Sequence, residues 1–204
     1  MTDVDDIIRR ATQAMCDQNF AQAEEILQTG LQSFNDPEGY QIILQHLAHL
    51  YEHPLNEDLE KADVYLSQRE TLYPSASTAL ACAYFLLYSR RDNQAARQWA
   101  CTAVRRAIEE SDLSTIYSAS ALGGLIAAQD GDEVATRAAM DRIENLIDAA
   151  DGTICYGDAV AFFESLIKIG GDIAAKAKGL AQRIVPNIED ADFRARAEAV
   201  AFCK

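Results

Sequence analysis

Apolar residues recur along this chain at intervals of three and four, the spacing that places them on one face of an α-helix. The pattern is plain in Ile7, Ile8, Ala11, Ala14 and Met15, in Leu44, Leu47, Leu50 and Tyr51, and in Ile116, Ala119, Leu122 and Ile126. It returns in Ala23, Ile26, Leu27, Gly30, Leu31 and Phe34, and in Ala96, Trp99, Ala100, Ala103, Val104, Ala107 and Ile108. Strand-like alternation is almost absent. Between these stretches the same junction appears at Asn19, Asp58, Asp92, Asp132 and Asp172, spaced 39, 34, 40 and 40 residues apart. Each begins with a side chain able to accept the orphan amide hydrogens of a helix start, and most place a small residue one turn later, where two helices can approach closely. Pro37, Pro74 and Pro186 fall just past the second helix of three units, where a residue without an amide hydrogen stops a helix. Two helices per junction, repeated, predict a helical repeat.

The residues at these junctions resemble the tetratricopeptide repeat family. Leu44, Leu47, Ala48 and Tyr51 match that family's first-helix positions, and Ala62 and Pro74 its second helix. Phe20, Ala23 and Gly30 match in the first unit, and Ala96 and Ala103 in the third. Thr136, Ile143, Lys176 and Arg183 stand where the family has small residues. The resemblance implies an all-α fold, a right-handed α–α superhelix (tetratricopeptide-like solenoid) of about five antiparallel helix pairs in a single domain. Its units are expected at 4–37, 38–75, 76–111, 112–151 and 152–188. A helix within 189–204, carrying Phe193, Ala197, Val200 and Ala201 on one stripe, is expected to cap the end. The resemblance further implies a concave groove lined by first helices. Ile42, Gln45, His49, Glu52 and His53 fall on its expected face, and the register of later units adds Phe85, Tyr88 and Tyr117. The Lys/Asn clamp by which family members hold an acidic chaperone C-terminus is missing at these positions.

Composition narrows the partners. Acidic residues outnumber basic ones 32 to 18, for a net charge of -14. Such a surface repels phosphate backbones, so nucleic acid is not expected as a partner, and a basic or amphipathic protein segment fits better. The local run Arg90, Arg91, Arg97, Arg105 and Arg106 reads as a helix end and a solvated face. The acidic start, Met1 to Asp6, has neither the basic nor the apolar part of a signal peptide, and the longest apolar run, Ala79 to Tyr88, is too short for a bilayer. Cys16, Cys82, Cys101, Cys155 and Cys203, odd in number and scattered, read as reduced core thiols of a cytoplasmic protein.

All three histidines, His46, His49 and His53, form a stripe on one helix, turned away from its apolar face. His49 and His53, one turn apart, are candidates for a zinc or nickel pair with His46, and Pro54 disfavours helical geometry at His53. As imidazolium they would donate to an anionic group on a partner. No catalytic order of Ser, Cys, His and Asp, no glycine-rich phosphate loop and no paired CxxC occurs. The reading is therefore a non-enzyme without cofactor, an adaptor or scaffold binding another protein, with a homodimer left open. Two alternatives stand beside it: a dedicated cytosolic secretion chaperone or immunity protein masking one partner, and a metal-binding regulator or enzyme using the His stripe.

Overall fold

The computed structural model describes residues 4–33, 36–149 and 154–202. They form α1 (Val4–Cys16), α2 (Phe20–Ser33), α3 (Pro37–Glu52), α4 (Leu59–Leu72), α5 (Ala76–Tyr84) and α6 (Asn93–Glu110). These are followed by α7 (Leu113–Gln129), α8 (Glu133–Ala149), α9 (Val160–Ile169), α10 (Gly171–Ile184) and α11 (Ala191–Phe202). No strand occurs among the described residues. The chain divides into two compact units, 1–81 and 82–204. In the first, α1 packs on α2, α2 on α3 and α3 on α4. In the second, α6 packs on α7, α7 on α8 and α9, α9 on α10, and α10 on the capping helix α11.

The junction residues do what their chemistry suggests at four of five places. The side chains of Asn19, Asp58, Asp92 and Asp132 accept the amides of Gln22, Lys61, Ala95 and Ala135 at 3.3, 3.1, 2.9 and 3.0 Å. Four residues past each cap stand Ala23, Ala62, Ala96 and Thr136, all buried. Thr136 fits that place because its hydroxyl bonds back to the Asp132 carbonyl at 2.7 Å, hiding its polarity inside its own helix.

The fifth junction is corrected by the structure. Gly170 and Gly171 adopt φ of +84° and +62°, so the helix opens at Gly171 with Gly170 as its cap, and Asp172 lies inside the first turn. Counted from Gly170, the fourth and eleventh positions are Ala174 and Ala181, both small and buried. Lys176 and Arg183 thus leave the packing positions that spacing assigned them and reach across to α8, where Lys176 meets Asp141 and Glu144 at 2.6 and 2.7 Å and Arg183 meets Glu144 and Asp148. Asp172 keeps one repeat feature: Arg137 binds it at 2.8 Å across 35 residues, as Arg97 binds Asp132 across 35.

The core also revises the cysteines. Cys82 is buried, whereas Cys16, Cys101 and Cys155 lie on helix or loop positions that face solvent, and all four are free thiols. Phe34 and Cys203 lie outside the described residues, as do Met1, Thr2 and Asp3. Among the described residues, no helix is long and apolar enough to cross a membrane.

Candidate protein-binding faces

In the first unit, α3 buries Ile43, Leu44, Leu47, Ala48, Leu50 and Tyr51 and leaves Ile42, Gln45, His46, His49 and Glu52 partly or fully open. Five of the expected groove residues therefore share the outer side of α3 and its end. Gln45 is the hub. Its Oε1 accepts from Arg69 Nη1 at 2.5 Å, so its amide nitrogen must be the group 2.7 Å from His49 Nε2. His49 Nε2 is then the acceptor and the His49 proton sits on Nδ1, the neutral ring. Burial, the neighbouring His46 and the Arg69 guanidinium all hold the His49 pKa below 6.5, and burial does the same for His46. The imidazolium donors expected at this face are thus disfavoured, because protonation would break the bond from Gln45 and place charge beside Arg69.

His53 has left the helix, with ψ of 129° at the C-cap, as Pro54 demands. Its ring lies 4.9 Å from that of Phe20, and Nδ1 accepts the Leu55 amide at 3.2 Å. The His49–His53 chelate geometry is lost with the helix. Among the described residues, no group of three His, Cys, Asp or Glu is gathered where a metal could be held.

Arg69, which sequence reasoning passed over, is only 8 % exposed. It stands eleven residues past the Asp58 cap, the place taken by Gly30, Ala103 and Ala181 in other pairs. Its guanidinium crosses to Gln45 and, at 3.4 Å, to Ser77 Oγ. The break in the small-residue register was the available signal.

In the second unit, the helix begun as α5 widens after Tyr84 into a π-type turn over Phe85–Ser89, where the Arg90 amide bonds the Phe85 carbonyl at 3.1 Å. Across this turn Phe85 and Leu87 point inward and Tyr88 outward. Phe85, expected on the groove, is therefore core, with Arg90 over its ring at 5.6 Å. Tyr117 is likewise fully buried, because α7 is enclosed by α6, α8 and α9; its hydroxyl donates to the Tyr156 carbonyl at 3.3 Å. Tyr88 alone of the three is open, 47 % exposed, stacked on Tyr84 at 6.0 Å and 16°.

Around this pair gather residues that spacing did not reveal. Ser118 Oγ donates to Asp158 on the short 3-10 turn Tyr156–Ala159 that leads into α9. Burial and then the Asp158 carboxylate push the Tyr84 phenol well above its ordinary range, and partial burial with the same carboxylate raises the Cys155 thiol. A thiol so raised stays protonated and weakly nucleophilic at neutral pH. Arg196 of α11 is held by Glu164 at 2.8 and 2.7 Å. The arrangement offers a tyrosine platform beside a carboxylate, suited to contact and hydrogen bonding.

Among solved structures, the chain is similar to the crystal structure of PilW, described as a widely conserved type IV pilus biogenesis factor. The TM-score is 0.61 over 98 % of this chain and 89 % of that one. The fold is that of a tetratricopeptide-like helical repeat. At 17 % identity the likeness is one of fold alone. No protein-family model and no curated protein sequence matches the chain.

Proposed function

We propose that this chain is a non-catalytic protein-interaction module, an adaptor or scaffold of the cytoplasm that needs no cofactor. The observation that carries the reading is Tyr88, a large aromatic left 47 % exposed on a widened helical turn, backed by Tyr84 and set near Arg196, which Glu164 neutralises, and Asp158. An exposed tyrosine on a rigid support is the kind of group that anchors a partner segment at low entropic cost. The carboxylate and the net charge of -14 favour a basic or amphipathic segment there. The test is capture of partners on the immobilised chain from native lysate, with Tyr88→Ala beside the wild type. The expected result is loss of the captured protein in the variant at an unchanged melting temperature, and elution of the wild-type complex by salt. Equal capture by both would remove Tyr88 from the interface. A single stoichiometric partner would point to a dedicated chaperone, several to a scaffold.

A further inference from the structure

A cleft of about 460 Å³ runs between α6 and α8 over the middle of α7. Its floor is built of small residues, among them Ala100, Ala119 and Gly123. Gly123 sits in mid-helix, where glycine costs stability, yet a Cβ built on it would meet nothing closer than Ala100 Cβ at 3.7 Å. Its neighbour Gly124 differs, since a Cβ there would strike Phe162 at 2.7 Å and Ala139 at 2.8 Å. Internal packing thus explains Gly124 and leaves Gly123 unexplained unless something approaches the floor from outside.

The rims carry the second observation. Arg105 and Glu109 of α6 and Arg142 of α8 line the cleft; Arg142 reaches Ser120 Oγ at 3.5 Å, and neither arginine is paired with Glu109 or another carboxylate among the described residues. In the adjoining seam the equivalent job is done internally, where Asp141, Glu144 and Asp148 of α8 neutralise Lys176 and Arg183 of α10. Ile108, 59 % exposed, adds an apolar edge. The floor is helix interior, whose main-chain groups are already bonded, so an occupant must satisfy its own backbone.

We propose that the α6–α8 cleft is a docking site for an amphipathic helix of a partner protein, with its small apolar face on Gly123 and its Asp or Glu side chains on Arg105 and Arg142. This surface is separate from the Tyr88 face and favours the opposite charge, so either can fail without the other.

The experiment uses the full chain and two labelled helical peptides with the same Ala/Leu face, one flanked by Glu and one by Lys, followed by fluorescence anisotropy. Saturable binding of the Glu peptide is expected, with the Lys peptide at least about tenfold weaker. Arg105→Ala with Arg142→Ala is expected to weaken the Glu peptide by about tenfold or more, and Gly123→Leu to do the same by filling the floor. Lys176→Ala with Arg183→Ala should leave affinity unchanged. Equal binding of both peptides, an unchanged affinity in the arginine variant, equal loss in the lysine-containing control, or no saturation up to about 1 mM would each overturn the proposal. So would a concentration-dependent dimer, seen by sedimentation and abolished by the arginine variant, which would give the cleft to a second copy.

Discussion

The second unit contains two seams between second helices, and they are finished differently. Between α8 and α10, Arg137, Lys176 and Arg183 are met by Asp172, Asp141, Glu144 and Asp148, so each cation of the seam has a carboxylate from the facing helix. Between α6 and α8, Arg97 meets Asp132 at one end, and further along Arg105 and Arg142 flank a cleft over Gly123. One seam is satisfied by its own side chains; the other presents charge and apolar floor to the outside. The lesson is that repeat units of one backbone design can finish the same junction in two ways, one with cross-helix ion pairs along its length and the other with an open cleft.

The largest effect expected to probe this contrast comes from adjacent glycines. Gly124→Ala should destabilise by about 2 kcal/mol, because its Cβ would press on the buried Phe162 ring and Ala139 with no flexible atom to yield. Gly123→Ala should instead gain about 0.5–1 kcal/mol, as expected for an unhindered helical site. Thermal or urea melts of both variants check the pair, and a Gly123→Ala loss as large as that at Gly124 would mean the floor is packed from within.

The next effect is electrostatic. Lys176→Ala with Arg183→Ala should cost up to about 1 kcal/mol, and less at high salt, since these side chains are partly solvated. Arg105→Ala with Arg142→Ala should stay within about 0.5 kcal/mol of wild type in the same melts, because no folded-state carboxylate is lost. Equal losses would erase the distinction between the seams.

The smallest expected effect lies in the first unit, where Ser77, Arg69, Gln45 and His49 form a hydrogen-bonded chain. His46 and His49 have folded pKa values below 6.5, so the folded state resists protonation. Stability is full above about pH 6.5 and declines as pH falls through that value toward the folded pKa values. His46→Gln with His49→Gln should flatten the decline in melting temperature between about pH 7 and 5.5, and an unaltered slope would place its origin elsewhere.

What was legible in the sequence was what is local. An Asp or Asn cap and the alanine or threonine one turn later lie within a few residues, and that information sufficed for four of five helix starts. The start at Gly171 was missed because a glycine pair at positive φ turns the chain without a capping side chain. Counting from Asp172 then displaced Lys176 and Arg183 by two positions. Phe85 was misplaced because the helix that begins at Ala76 is buried on several sides, at Ala76, Thr78, Ala79, Cys82 and Ala83, so no open stripe marks its outer face. Tyr117 was misplaced because α7 is covered on nearly every side, so it has no outer stripe to read. The seam charges, 35 residues apart, acquire meaning only when the second helices stand side by side.

The contrast between a closed and an open seam is tested most directly by amide chemical shifts of the isotope-labelled chain titrated with the Glu-flanked helical peptide. Shifts concentrated at Gly123 and around Arg105 and Arg142, with the amides near Lys176 and Arg183 unmoved, are the result expected here. Shifts gathered along α8–α10, or on the Tyr88 face, would contradict it.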